Sequence, residues 1–80
     1  MNAFTLRDVL RVEPFKPFVM TLVDGRSFEI KHPEFVFVSP KGRHVIVVNE
    51  DESLSYLEPL LIASLDYPAP KSNGSAAPPA

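Results

Sequence analysis

The sequence predicts a mainly β domain with one short N-terminal helix, its five or six strands forming a small antiparallel bent sheet or open barrel. Three observations lead there. Apolar and polar residues alternate with period two in several short runs between residues 18 and 67. Turn formers separate these runs at regular spacing: Asp24-Gly25, His32-Pro33, Ser39-Pro40-Lys41-Gly42, Asn49-Glu50-Asp51-Glu52 and Glu58-Pro59. The clearest helical signature lies in the first dozen residues.

The helix is expected to begin at Thr5, whose hydroxyl can accept from an early backbone N–H, with Asp8 at the positive helix end. Phe4 and Val9 fit a hydrophobic staple, and Leu6, Val9, Leu10 and Val12 form one apolar face. Pro14 disfavours helical geometry at Glu13, so the helix should stop near Val12. Arg7 and Arg11, four apart, share a solvated face. Phe15-Lys16-Pro17-Phe18 then reads as a stiff connector pinned by its two Phe side chains.

Asp24-Gly25 joins a strand from Phe18 to Val23 to one from Arg26 to Lys31. Register selects the loop. A two-residue loop would place Phe28 and Ile30 on the face of Val19 and Thr21, opposite Phe18, Met20 and Leu22. A three-residue loop, Val23-Asp24-Gly25 with Gly25 left-handed, pairs Leu22 with Arg26 and unites Phe18, Met20, Leu22, Phe28 and Ile30 on one face. The second loop keeps the apolar set together and is the expected one.

Pro33 interrupts the ladder, since it has no N–H to donate. A second hairpin follows, from Phe35 to Ser39 and Arg43 to Asn49, turning at Ser39-Pro40-Lys41-Gly42. Both of its faces are apolar: Phe35, Phe37, Val45 and Val47 are assigned to one, Val36, Val38, Ile46 and Val48 to the other. Such a hairpin must be covered on both sides. After the acidic turn Asn49 to Glu52, Ser53 to Leu57 alternates as a strand with Leu54 and Tyr56 on one side. Leu60 to Tyr67 reads either as a short helix begun by Pro59 or as a closing strand; alternation favours a turn at Glu58-Pro59 and a strand over Ile62 to Asp66. Residues 1–67 thus make a single small domain, and 68–80, built from Pro, Ala, Ser and Gly with little to bury, are expected to be disordered.

A chain of 80 residues whose last dozen bury nothing is near the lower limit for independent stability. It contains no Cys and two His, so neither disulfides nor a thiolate metal site can staple it, and oligomerisation is the remaining device. The N-terminal residues lack the basic start and apolar run of a signal peptide, and no stretch approaches a membrane span, so the expected location is cytoplasmic. Net charge is −2 with basic residues scattered along the chain, which argues against a protein held to nucleic acid by phosphate contacts.

Phe15-Lys16-Pro17-Phe18, Leu22-Val23-Asp24-Gly25-Arg26-Ser27-Phe28 and His32-Pro33-Glu34-Phe35, followed by a Val-rich hairpin and an Ile/Leu closing strand, resemble a group of short bacterial proteins that carry no assigned activity. The order of helix, strand and Asp-Gly turn is also similar to the Sm-like barrel. The RNA-binding residues of that family have no counterparts at matching positions, so its uridine-binding activity is not carried over.

Among polar residues, His32 and Glu34 could support proton transfer, and His32 with His44 and a carboxylate could supply part of a metal site. Zinc normally asks for three or four protein ligands, so carboxylates such as Glu34 would have to complete the set, and a turn in which Pro33 ends one strand while His32 and Glu34 face water is the plainer account. Neither a metal nor another cofactor is expected. No serine lies in a nucleophile-elbow context, so the chain is expected not to be an enzyme. Arg26, Lys31, Lys41 and Arg43 could rim a single-stranded nucleic-acid site with Phe35 or Phe37 as stacking platforms, although turns are where such cations ordinarily sit. The doubly apolar hairpin carries the leading expectation: a non-enzymatic protein-interaction module acting as a homo-oligomer through Phe35, Phe37, Val45 and Val47. The competing expectation is an RNA- or single-stranded nucleic-acid-binding regulator with a Sm-like barrel.

Overall fold

The helix starts at Asn2 rather than Thr5 in the computed structural model, which describes residues 2–68. The Asn2 side chain accepts from the Phe4 and Thr5 backbone N–H groups at 2.8 and 3.2 Å, and α1 runs over Ala3–Leu10. Asn caps at least as well as Thr. The earlier start also adds Ala3, three residues before Leu6, to the buried side, and both are fully enclosed. Phe4 therefore lies inside the helix and packs towards Gly42 instead of acting as a staple. Val12, beyond the helix end, is exposed.

Six strands follow: β1 (Phe18–Leu22), β2 (Ser27–Ile30), β3 (Val36–Val38), β4 (Val45–Val48), β5 (Leu54–Leu57) and β6 (Ile62–Asp66). They form two three-stranded antiparallel sheets, ordered β2-β1-β6 and β3-β4-β5, that are not closed into a barrel. The break between β2 and β3 is a single 3-10 turn over Pro33–Phe35, where the proline removes a ladder donor. A second such turn, Pro59–Leu61, leads into β6, so the closing segment is a strand that pairs with β1. The anticipated disorder of the C-terminal tail falls, beyond residue 68, outside the described residues.

The first hairpin has the expected three-residue loop. Phe18 faces Ile30 and Met20 faces Phe28, the Leu22 N–H donates to the Arg26 carbonyl at 2.8 Å, and Gly25 has φ +95°. Phe18, Met20, Leu22 and Ile30 are all buried. An added Cβ at Gly25 would meet nothing within 4 Å, so the requirement there is purely conformational. Gly25→Ala should therefore cost about 1 kcal/mol and Gly25→Asn distinctly less, read from the midpoints of chemical denaturation. Equal stability of all three proteins would refute the left-handed loop.

The second hairpin corrects the face assignment. Val36 faces Val47, Phe37 faces Ile46 and Val38 faces Val45. Hence Val36, Val38, Val45 and Val47 share one face, and Phe37 stands with Ile46 on the other. The reason is loop parity. Ser39 pairs with His44 through a 3.0 Å bond from Ser39 N–H, leaving four residues between them, and an even loop reverses the parity of the facing strand. That loop is held by Gly42, at φ +72°, donating to the Ser39 carbonyl, and by the Ser39 hydroxyl accepting from the Arg43 and His44 N–H groups at 3.1 and 3.0 Å.

One core cluster collects Ala3 and Leu6 from α1, Phe18, Met20, Leu22, Ile30 and Ile62 from one sheet, and Val36, Val45, Val47 and Leu57 from the other. No polar side chain is buried among the described residues. At roughly 1.5–3 kcal/mol per fully buried large side chain, this apolar cluster is the main source of stability. The helix is tied to the second hairpin by Arg7, whose guanidinium donates to the Ser39 and Pro40 carbonyls.

Candidate functional site

Side chains alternate along a strand, so the burial of Val36, Val45, Val47 and Leu57 dictates what points away from the core. The outward set is Phe37, Ile46, Val48, Leu54 and Tyr56. Pairing arranges them in two rows across the sheet: Phe37, Ile46 and Tyr56 in the first, Val48 and Leu54 in the second. Phe37, Leu54 and Tyr56 are 55%, 53% and 74% exposed, while Ile46 and Val48 are half-buried between them. The result is a continuous apolar surface on the order of 400 Å², the size at which a patch on a small protein is often functional.

The two ends of this surface differ in charge. At the entry to β4 stand Lys41, Arg43 and His44, all exposed, with Arg7 anchored on the same turn. At the exit lie Glu50, Asp51 and Glu52. This acidic turn is well ordered by its own hydrogen bonds. Asp51 accepts from the Ser53 hydroxyl at 2.6 Å and the Ser53 N–H at 3.0 Å, and those two bonds hold its carboxyl below the usual carboxylate range. Asn49 donates through Nδ2 to the hydroxyls of Ser53 and Ser55, both at 3.1 Å. Glu50 pairs with Lys31 at 3.0 Å. The ion pair is surface-exposed and contributes little to stability.

Two open clefts flank the sheet. One, of about 300 Å³, lies between β2 and the end of β4 and is lined by Phe28, Glu29, Phe35, Val48 and Glu50 among others. The other, of about 310 Å³, gathers Arg26, Arg43, His44, Tyr56, Glu58 and Leu61. Arg26 is engaged with Asp24 at 3.0 Å. The Asp24 carboxyl is held below its usual range, first by the Arg26 backbone N–H and then by the guanidinium.

The structure separates the residues singled out from the sequence. Phe37 belongs to the outer face. Val45 and Val47 are core residues, 1% and 2% exposed, and offer no surface to a partner. Phe35 is half-buried on the turn before β3, edge-on to His32 with ring centroids 5.7 Å apart. His32 and Glu34 are exposed on that turn, and His44 is exposed at the start of β4. Among the described residues no group of three or more His, Asp or Glu could hold a metal ion. Of the cations expected to rim a nucleic-acid site, Arg26 and Arg43 share a cleft, whereas Lys31 is engaged by Glu50. The aromatic residue beside the two arginines is Tyr56, not Phe35 or Phe37. Ile46, Val48, Leu54 and Tyr56 are the residues that sequence reasoning did not assign to the face; the parity of the Pro40–Arg43 loop is the signal that identifies them.

Among the described residues no helix is long and apolar enough to cross a membrane. No family model, curated protein or solved structure matches this chain.

Proposed function

We propose that this chain is a non-enzymatic protein-interaction module that acts as a homo-oligomer through the outer face of the β3-β4-β5 sheet. One observation carries the reading: five apolar side chains, Phe37, Ile46, Val48, Leu54 and Tyr56, are contiguous on the side of the sheet that faces away from the core. An apolar sheet face left in water favours association, and a core this small gains from a second layer. The bacterial cytoplasm is the setting that the resemblance noted above implies, and the absence of cysteine is compatible with it. Size-exclusion with light scattering at tens of micromolar is expected to give a mass above that of one chain. A monomer throughout that range would overturn the proposal.

A second reading is favoured by the cleft of Arg26, Arg43, His44 and Tyr56, which unites two guanidinium groups with an exposed aromatic ring. Arginine and a stacking platform are what single-stranded RNA or DNA requires. Glu58 in the same cleft and the Asp24 carboxylate on Arg26 oppose a phosphate backbone. The leading proposal therefore expects no gel shift with short RNA or single-stranded DNA at low salt; a salt-sensitive shift lost in Arg43→Ala would favour this second reading instead.

A further inference from the structure

We infer that the partner seated on the outer face is a second copy of this chain in one particular orientation, with the two β4 strands antiparallel and the two sheets face to face about a two-fold axis near Val47. The inference rests on the homo-oligomer reading above and adds its geometry.

Charge polarity is the first argument. The β4 strand is the centre of its sheet and runs from a basic turn to an acidic one. At the basic end stand Arg7, Lys41 and Arg43, with Glu58 in the cleft beside Arg43, while Arg26 and Asp24 neutralise one another. At the acidic end Glu50, Asp51 and Glu52, joined by Glu29 across the cleft, stand against one ammonium group, Lys31. An antiparallel copy lays each basic turn over its partner's acidic turn. A parallel copy would stack like on like at both ends, which costs free energy and disfavours that arrangement.

Register is the second. The pairing of His44 with Ser39 extends the alternation at the start of β4, giving the outward file His44, Ile46, Val48, after which the chain enters the acidic turn of Glu50 to Glu52. The file starts in a cationic neighbourhood, runs through two apolar residues and ends at the carboxylates of the acidic turn. Reversing the file about Val47 places Ile46 over the partner's Val48 and brings His44 to the partner's acidic turn, so apolar groups meet apolar groups and opposite ends meet. An interface of this kind is self-complementary, as a two-fold requires. Sheets packed in this way sit about 10 Å apart.

Size sets the strength. Two apolar patches on the order of 400 Å² bury about 800 Å² together, below the roughly 1,000 Å² that a stable interface clears, so the dimer is weak and transient and its orientation is decided by the charged ends.

The chain has no cysteine, so His44→Cys and Glu50→Cys each carry one thiol. The two variants are to be mixed and treated with a bismaleimide whose reach is on the order of 10 Å, matching the sheet spacing. The expected product is the mixed 44–50 cross-link, several-fold above 44–44 or 50–50. In parallel, the wild-type association constant should fall about three- to tenfold between roughly 0.05 and 0.5 M salt. A wild-type chain that stays monomeric would refute both the homo-oligomer and its geometry. A dimer that cross-links 44 to 44, or that strengthens with salt, would refute the antiparallel arrangement alone and leave self-association standing.

Discussion

Phe18→Ala is expected to lower stability by about 3–5 kcal/mol, the usual cost of deleting a buried aromatic side chain and leaving its cavity. Phe18 is 1% exposed at the start of β1, faces Ile30 across the first hairpin and meets Phe15 edge-on, with ring centroids 6.0 Å apart. It sits where the stiff Phe15-Lys16-Pro17 connector enters the sheet, so little can collapse into the space it leaves. A domain of this length has a total stability of only about 3–10 kcal/mol, at roughly 0.05–0.15 kcal/mol per residue. The loss is therefore comparable with the whole margin, and the variant should be largely unfolded in urea at concentrations that leave the parent native. Val23→Ala, at a site 63% exposed in the loop, is the internal control and should change stability by less than about 0.5 kcal/mol. Circular dichroism against denaturant reads both, and equal losses at the two positions would contradict the placement of the core.

Tyr56→Glu is expected to act in the opposite manner, leaving the fold intact and abolishing self-association. Tyr56 is 74% exposed on β5 and lies in the same row as Ile46 and Phe37. Interface aromatics of this kind commonly contribute 2 kcal/mol or more, and the introduced carboxylate would be desolvated against an apolar partner, so association should weaken by about 30-fold or more. Because a dimer stabilises its folded subunits by mass action, the two proteins must be compared at concentrations where both are monomeric; there their melting points should agree within a few degrees. Unaltered self-association in the variant would exclude the outer face as the contact surface.

The first hairpin was legible from sequence because two signals agreed. Asp24-Gly25 marked the turn, and the single arrangement that kept Phe18, Met20, Leu22, Phe28 and Ile30 on one side selected the loop length. The second hairpin offered no such arbitration. With valine or phenylalanine at nearly every position of both strands, either parity leaves two apolar faces, and only the hydrogen bonds of the Ser39 to His44 loop decide which residues go inward. Apolar excess was therefore visible as a property of the hairpin, while its outward half was not, and Val45 and Val47 were assigned to the wrong side. The helix start was misplaced for a related reason. Asn2 and Thr5 are both competent caps, and the choice rests on burial of Ala3 in a core assembled from distant segments. The closing strand followed from the alternation of Ile62 to Asp66, but its partner β1 lies some forty residues away, and the division into two open sheets is a tertiary outcome that no local pattern encodes.

The sequence leads to the expectation of a partner, and the proposed contact surface is the outward apolar face of the β3-β4-β5 sheet with its basic and acidic turns. The side-chain NMR signals of Phe37, Ile46, Val48, Leu54 and Tyr56, followed on dilution through the association range, test this most directly. Concentration-dependent shifts are expected on these five residues and on the turns at Lys41 to His44 and Glu50 to Glu52. Shifts confined to β1 and β6, or none at any concentration, would contradict it.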